Sequence, residues 1–149
     1  MILTRVRRAL LLGLMGVSLI AVAAAPAAAY TGNFTDIDPK RETVRCNMDT
    51  ERVLCVIAGQ VPWTIPGDPP PPSRCPSGYK FPTFILRNTG EVQLSNDCQL
   101  VIEDGEVLPF HKVLSNGSIV CSGLARETGI QCVNDQHRFQ IARSNYTVS

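Results

Sequence analysis

Apolar and polar residues alternate in short runs along most of this chain, and turn-forming residues break the runs at short intervals. Alternation with period two marks a strand with one buried face. Val44-Arg45-Cys46 and Val53-Leu54-Cys55-Val56-Ile57 both show it, and they read as a hairpin turning near Asp49-Thr50-Glu51. Phe81 to Arg87 is an apolar strand closed by Asn88-Thr89-Gly90. Further strands are expected at 91–95 and 98–102, then a tight turn at Asp104-Gly105 and a new strand beginning at Val107-Leu108. Phe110 to Leu114 leads into Asn116-Gly117, the strongest short hairpin signal in the chain, with 118–122 as the return strand. Strands at 130–134 and 137–143 complete the set, and Phe139 and Ile141 alternate with Arg138 and Gln140 in the last. No segment has convincing helical periodicity beyond the N-terminal leader; 123–128 has room for one turn between glycines. The pattern predicts an all-β domain: a small sandwich or barrel of about eight short antiparallel strands.

Two stretches fall outside this rhythm. Residues 30–42 are polar, carry Pro39, and predict an extended or loosely ordered arm. Residues 61–76 hold seven prolines, and proline lacks the amide proton that a ladder needs. That stretch reads as a proline-rich, polyproline-like connection within a single domain over 43–149.

The first 29 residues are of another kind. Arg5, Arg7 and Arg8 precede an apolar stretch from Ala9 to Ala25, and Ala27-Ala28-Ala29 supplies small residues at a cleavage site. This is the layout of an export signal helix, cut after Ala29 to leave a mature chain of about 120 residues. The other reading is a retained anchor, the apolar stretch being at the lower limit of a membrane span. Pro26 and the alanine-rich end favour cleavage. Membrane contact is expected only through this segment if it stays uncut.

All six cysteines lie in the mature part: Cys46, Cys55, Cys75, Cys98, Cys121 and Cys132. An even count in an exported chain reads as a disulfide framework. If Cys46 faces Cys55 across the first hairpin, Val44 falls opposite Ile57 on the same face. Cys121 and Cys132 repeat the arithmetic, with Ile119 and Ile130 sharing their face. The expected pairs are Cys46–Cys55, Cys121–Cys132 and, by elimination, Cys75–Cys98. The two hairpins resemble each other weakly, and two similar solutions to one problem explain that better than an internal repeat.

Composition narrows the function. The chain has 14 basic and 13 acidic residues. Loss of the three leader arginines leaves 11 basic residues and a net charge near −2. A nucleic-acid partner would normally demand a basic excess, so none is expected. Zinc sites want close cysteine pairs with histidines nearby, whereas these spacings are longer and His111 and His137 stand apart. No metal, no cofactor and no catalytic residue is assigned. Glu103, Asp104 and Glu106 read as a solvated turn rather than a cation site. Trp63, the only tryptophan, stands between Pro62 and Pro66. It suits a proline-rich ligand for a partner's aromatic groove, or, better, a cap packing the proline segment onto the sheet. Trp63, Pro66 and Pro69 are the candidate interaction residues.

These residues also carry a resemblance. They are Cys46-Asn47-Met48-Asp49, Val53 to Ile57, Trp63 before the proline run, Cys75 and Cys98. They continue with Gly117 to Ser122, Gly129 to Asn134, and the ending Phe139 to Tyr146. Over about Arg45 to Tyr146 the chain resembles an uncharacterised family of small exported actinobacterial proteins with six cysteines, defined as a domain of unknown function. It departs from that family at Asp38 to Arg41, at Ser77-Gly78-Tyr79 and at Arg138. The resemblance implies export and a bridged domain, and it supplies no activity for any residue. The expected function is a non-catalytic binding module, secreted or held in the cell envelope, acting on an unknown envelope or extracellular partner. Its proline segment and the exposed turns at Asn88–Gly90 and Asp104–Gly105 are the first places to look. The alternatives are a secreted protease inhibitor and a small envelope hydrolase with an unrecognised carboxylate pair.

Overall fold

The computed structural model describes residues 28–36, 44–59, 61–66, 81–97, 102–125 and 129–149. The expected leader up to residue 27, the rest of the expected arm (37–42), the proline run with Pro69 and Cys75 (67–80) and Cys98 lie outside the described residues. The expected Cys75–Cys98 pair therefore lies outside them too.

The described residues form eleven strands and no helix. They are β1 (Gly32–Thr35), β2 (Val44–Met48), β3 (Arg52–Ile57), β4 (Phe81–Arg87), β5 (Gln93–Asp97) and β6 (Glu106–Val107). Then come β7 (Val113–Asn116), β8 (Ile119–Gly123), β9 (Gly129–Val133), β10 (Arg138–Ala142) and β11 (Tyr146–Val148). One sheet has the order β5-β4-β3-β2-β1-β6 and the other β11-β10-β9-β8-β7. The architecture is an all-β sandwich of two sheets.

Each sheet is built on one plan. β1 to β5 and β7 to β11 are both five-stranded antiparallel meanders. In each, a cystine joins the second strand to the third: Cys46–Cys55 and Cys121–Cys132, both with Cα atoms 4.1 Å apart. The likeness runs the width of the sheet. In the first, Phe34, Cys46, Cys55, Phe84 and Leu94 are successive register partners. In the second the row is Leu114, Cys121, Cys132, Phe139 and Val148. The first four members of each row are buried, and Phe84 meets Phe139 between the sheets at 5.6 Å between ring centroids. These two rows form the middle layer of the core. Each fully buried phenylalanine there contributes on the order of 1.5–3 kcal/mol. The likeness between the cystine hairpins thus extends over all five strands of each meander.

Register confirms the hairpin arithmetic. Val44 pairs with Ile57 and Cys46 with Cys55. Ile119, Cys121, Ile130 and Cys132 all face the core. Several boundaries differ from expectation. The segment read as a polar arm supplies β1, an interior strand of its sheet, with Phe34 fully buried. Thr35 and Asp36 beside it are buried too, so the strand is covered despite its polar composition. Residues 30–36 therefore belong to the domain expected to begin at 43. The turn after β7 is shifted by one residue: Asn116 closes the strand opposite Ile119, and Gly117-Ser118 make the two-residue loop. Gly117 has φ +59° and no described non-glycine residue has positive φ, the pattern of a type II′ turn. Asp104-Gly105 makes no turn and leads into β6, which pairs parallel to β1. Gly105 lies so close to β1 that a Cβ there would meet the Asn33 carbonyl oxygen at 2.0 Å. β11 joins beyond the last expected strand.

Candidate functional site

Alternating strand direction sends four turns to one end of the sandwich: β2–β3, β4–β5, β7–β8 and β9–β10. Two asparagines tie them together. Asn88 follows β4. Its backbone N–H donates to the Glu51 carbonyl at 3.0 Å, and its Nδ2 donates to the Thr50 carbonyl at 2.9 Å. In return, Ser118 N–H donates to Asn88 Oδ1 at 3.3 Å and Ser118 Oγ donates to the Asn88 carbonyl at 2.6 Å. One residue therefore joins three turns. Asn134 follows β9. Its Oδ1 accepts from the N–H groups of Gln136 and His137 at 2.9 and 2.7 Å, which folds its own turn. Its Nδ2 donates to the carbonyls of Arg87 and Gly90 at 2.9 and 3.1 Å, which ties that turn to the other sheet.

Asp49 shapes the β2–β3 turn in a similar way. Its Oδ1 accepts from Glu51 N–H at 2.8 Å and Arg52 N–H at 2.9 Å, and Arg52 Nε lies 3.4 Å from Oδ2. The Glu51 N–H first, then Arg52, hold this carboxyl below the usual carboxylate range. An Asx side chain bonding to backbone two residues on is a turn-forming device, so the polar loops here are stiff.

On the outer side of the knot, Val133 to Arg138 and Ser149 line an open depression of about 400 Å³. A smaller one of about 100 Å³ lies between Asn88, Thr89 and Asn134 to Gln136. Around the first stand an acid, an amide, an imidazole and a guanidinium, on Asp135, Gln136, His137 and Arg138. Asp135, Gln136 and Arg138 are exposed and His137 is half-buried. Arg138 Nε donates to Ser149 Oγ at 2.9 Å, which holds the guanidinium beside the rim. Donors, acceptors and both signs of charge are offered on a backbone fixed from beneath. Such a set of donors and acceptors is what a polar ligand would need at a shallow surface.

A comparison of the chain with known protein families, with curated proteins and with solved structures finds no match in any of the three.

The residues singled out from sequence fall into separate places. Trp63 is half-buried at the opposite end. Its ring lies 4.7 Å from Tyr146 and 6.2 Å from Phe84, and its Nε1 donates to the Arg143 carbonyl at 3.2 Å. It thus bridges the two sheets. Pro66 is exposed, three residues on. The acidic group around Gly105 is divided between bases: Asp104 Oδ1 pairs with Arg45 Nη2 at 3.0 Å, and Glu106 with Lys112. Among the described residues no three His, Cys, Asp or Glu side chains come together as a metal would require. The Asn88–Gly90 turn belongs to the knotted end. Asn134 and its neighbours were not singled out, because Asn134 reads as the end of a strand. The available signal was the run Asn134-Asp135-Gln136-His137 between two alternating segments, an Asx-turn composition.

Proposed function

We propose that the chain is an exported, non-catalytic binding module of the cell envelope or extracellular space, with the four-turn end as its recognition surface. The observation that carries this reading is the cross-linking of the turns by Asn88 and Asn134 beneath the Asp135 to Arg138 rim. Loops locked before contact lose little conformational entropy on binding. Two buried cystines support a setting where disulfides persist, and they are compatible with an extracellular location. No helix among the described residues is long and apolar enough to cross a membrane. The likeness to small exported actinobacterial proteins is part of the proposal and supplies its cellular setting.

The test uses the exported full chain against purified bacterial cell wall, with Gln136→Ala and Arg138→Ala as variants. Sedimentation with the wall is expected for the parent protein, with roughly tenfold weaker binding for each variant, a loss of about 1.4 kcal/mol. Equal binding by all three removes the turn end from the reading. Release of soluble wall fragments makes the protein a hydrolase. Failure to bind wall, joined with inhibition of a protease panel, makes it an inhibitor.

A further inference from the structure

Tyr30 stands where the leader and the fold meet. It precedes β1 of one sheet, yet its backbone N–H donates to the Ser115 carbonyl of β7 in the other sheet at 2.8 Å. Its own carbonyl accepts from Asn116 Nδ2 at 2.8 Å. Its hydroxyl donates to the Asn33 carbonyl at 2.7 Å, and its ring meets Phe34 edge-on at 6.0 Å. Burial raises the phenol's pKa above its ordinary value. One residue thus closes the β1/β7 seam of the sandwich, while Trp63 bridges the sheets across Phe84 and Tyr146. Immediately before it, Ala28 and Ala29 are exposed and belong to no strand.

We propose that hydrolysis of the Ala29–Tyr30 bond is a maturation step on which the seam depends, and that Tyr30 is the keystone it creates. The proposal rests on the export reading above. The agent is a leader-removing peptidase, which reads small side chains at Ala27 and Ala29. Water supplies the balance. Its oxygen goes to the Ala29 carbonyl carbon, which leaves as a carboxylate, and its two hydrogens go to the Tyr30 nitrogen, which becomes an ammonium. Before the cut that nitrogen is a neutral amide with one hydrogen. After it, the same atom carries a full positive charge and three donors against the Ser115 carbonyl. A charge-assisted hydrogen bond is roughly twice as strong as a neutral one. Removing the leader therefore tightens the contact between the two meanders.

The experiment exports the full chain from a bacterial host and reads its intact mass and first residue. A chain beginning at Tyr30 is expected. A chain cut at any other bond overturns this proposal and leaves export standing. A chain that keeps residues 1–29 overturns both this proposal and the expectation of a processed, exported protein. The second arm inserts Ser-Gly-Ser between Ala29 and Tyr30, so that the cut leaves an amide at Tyr30. The expected result is a thermal midpoint lower by about 2–5 °C and faster amide exchange around Ser115 and Asn116. Selective acetylation of the α-amine in the parent protein neutralises the same group without moving the cut, and should reproduce both changes. Equal midpoints and equal exchange in all three proteins overturn the keystone role.

Discussion

Replacing Asn134 by alanine tests whether the turn end is a built structure. The side chain makes four hydrogen bonds to backbone, two as donor at 2.9 and 3.1 Å and two as acceptor at 2.9 and 2.7 Å. It is 9% exposed. Each such bond is worth about 0.5–1.5 kcal/mol net, which brackets the loss between about 2 and 6 kcal/mol. Arg87, Gly90 and Gln136 are exposed, so water replaces much of the lost bonding at their backbone groups and the loss falls near the low end of that range. The amide of the half-buried His137 carries most of the remaining cost. The expected loss is about 2–3 kcal/mol, or roughly 8–12 °C in thermal midpoint for a domain of this size. The assay is urea unfolding of parent and variant, read by circular dichroism, with the midpoint shifting and the slope unchanged. Asn134→Asp refines the test. It keeps both acceptor bonds but sets a carboxylate against two carbonyl oxygens, so it should match or exceed the alanine loss at neutral pH. Part of that loss should return below about pH 4, where the carboxyl protonates and donates. A change within 0.5 kcal/mol for Asn134→Ala would refute the reasoning, because the four bonds would then be fully exchangeable with water.

Three other outcomes follow from the same structure. Cys46→Ser with Cys55→Ser, or Cys121→Ser with Cys132→Ser, removes a bridge closing a loop of 9 or 11 residues. Each pair should cost about 2.5–3 kcal/mol in chemical unfolding, and a loss below about 1 kcal/mol would contradict the loop-entropy account. Asp49 has its folded pKa depressed by the Glu51 N–H and then by Arg52. Its contribution is present above the unfolded value near 3.9 and is lost as pH falls through the folded value. Acid unfolding curves for the parent and Asp49→Ala should therefore converge between about pH 5 and pH 2, and parallel curves would dismiss the role of that carboxylate. Gly105→Ala places a methyl 2.0 Å from the Asn33 carbonyl oxygen and 2.6 Å from the Phe34 nitrogen. These atoms belong to the Asn33–Phe34 peptide, so no flexible side chain is there to yield. β6 should part from β1 at a cost of about 1–3 kcal/mol, visible as lost amide protection at Leu108, whose N–H donates to Thr35.

Alternation of small apolar residues carried the fold class, and it carried the two cystine hairpins as well. A strand buries alternate side chains, so Val44, Cys46, Cys55 and Ile57 announce their shared face without help from the rest of the chain. β4 was legible residue for residue, because Phe81 to Arg87 ends at an unmistakable turn. β1 was hidden, since a four-residue strand with one buried aromatic looks polar when read alone. β11 was hidden for a related reason: its strand pairs only with β10, at the sheet edge. The Asp104-Gly105 pair shows the opposite error. Its glycine serves a close approach of two backbones, and composition cannot separate that need from a turn.

By itself, then, the sequence determined the local chemistry: period-two strands and hairpin cysteines facing each other. These depend on neighbours a few positions apart, where backbone geometry alone decides who meets whom. The tertiary structure decided the rest. Asn134 reaches Arg87 across 47 positions, Tyr30 is reached by Asn116 across 86, and Trp63 reaches Arg143 across 80. Only the packing of two meanders face to face brings such residues within hydrogen-bond distance. That is also why the turn end exists as a surface: its four turns are far apart in the chain and share one end only because successive strands of each meander reverse direction.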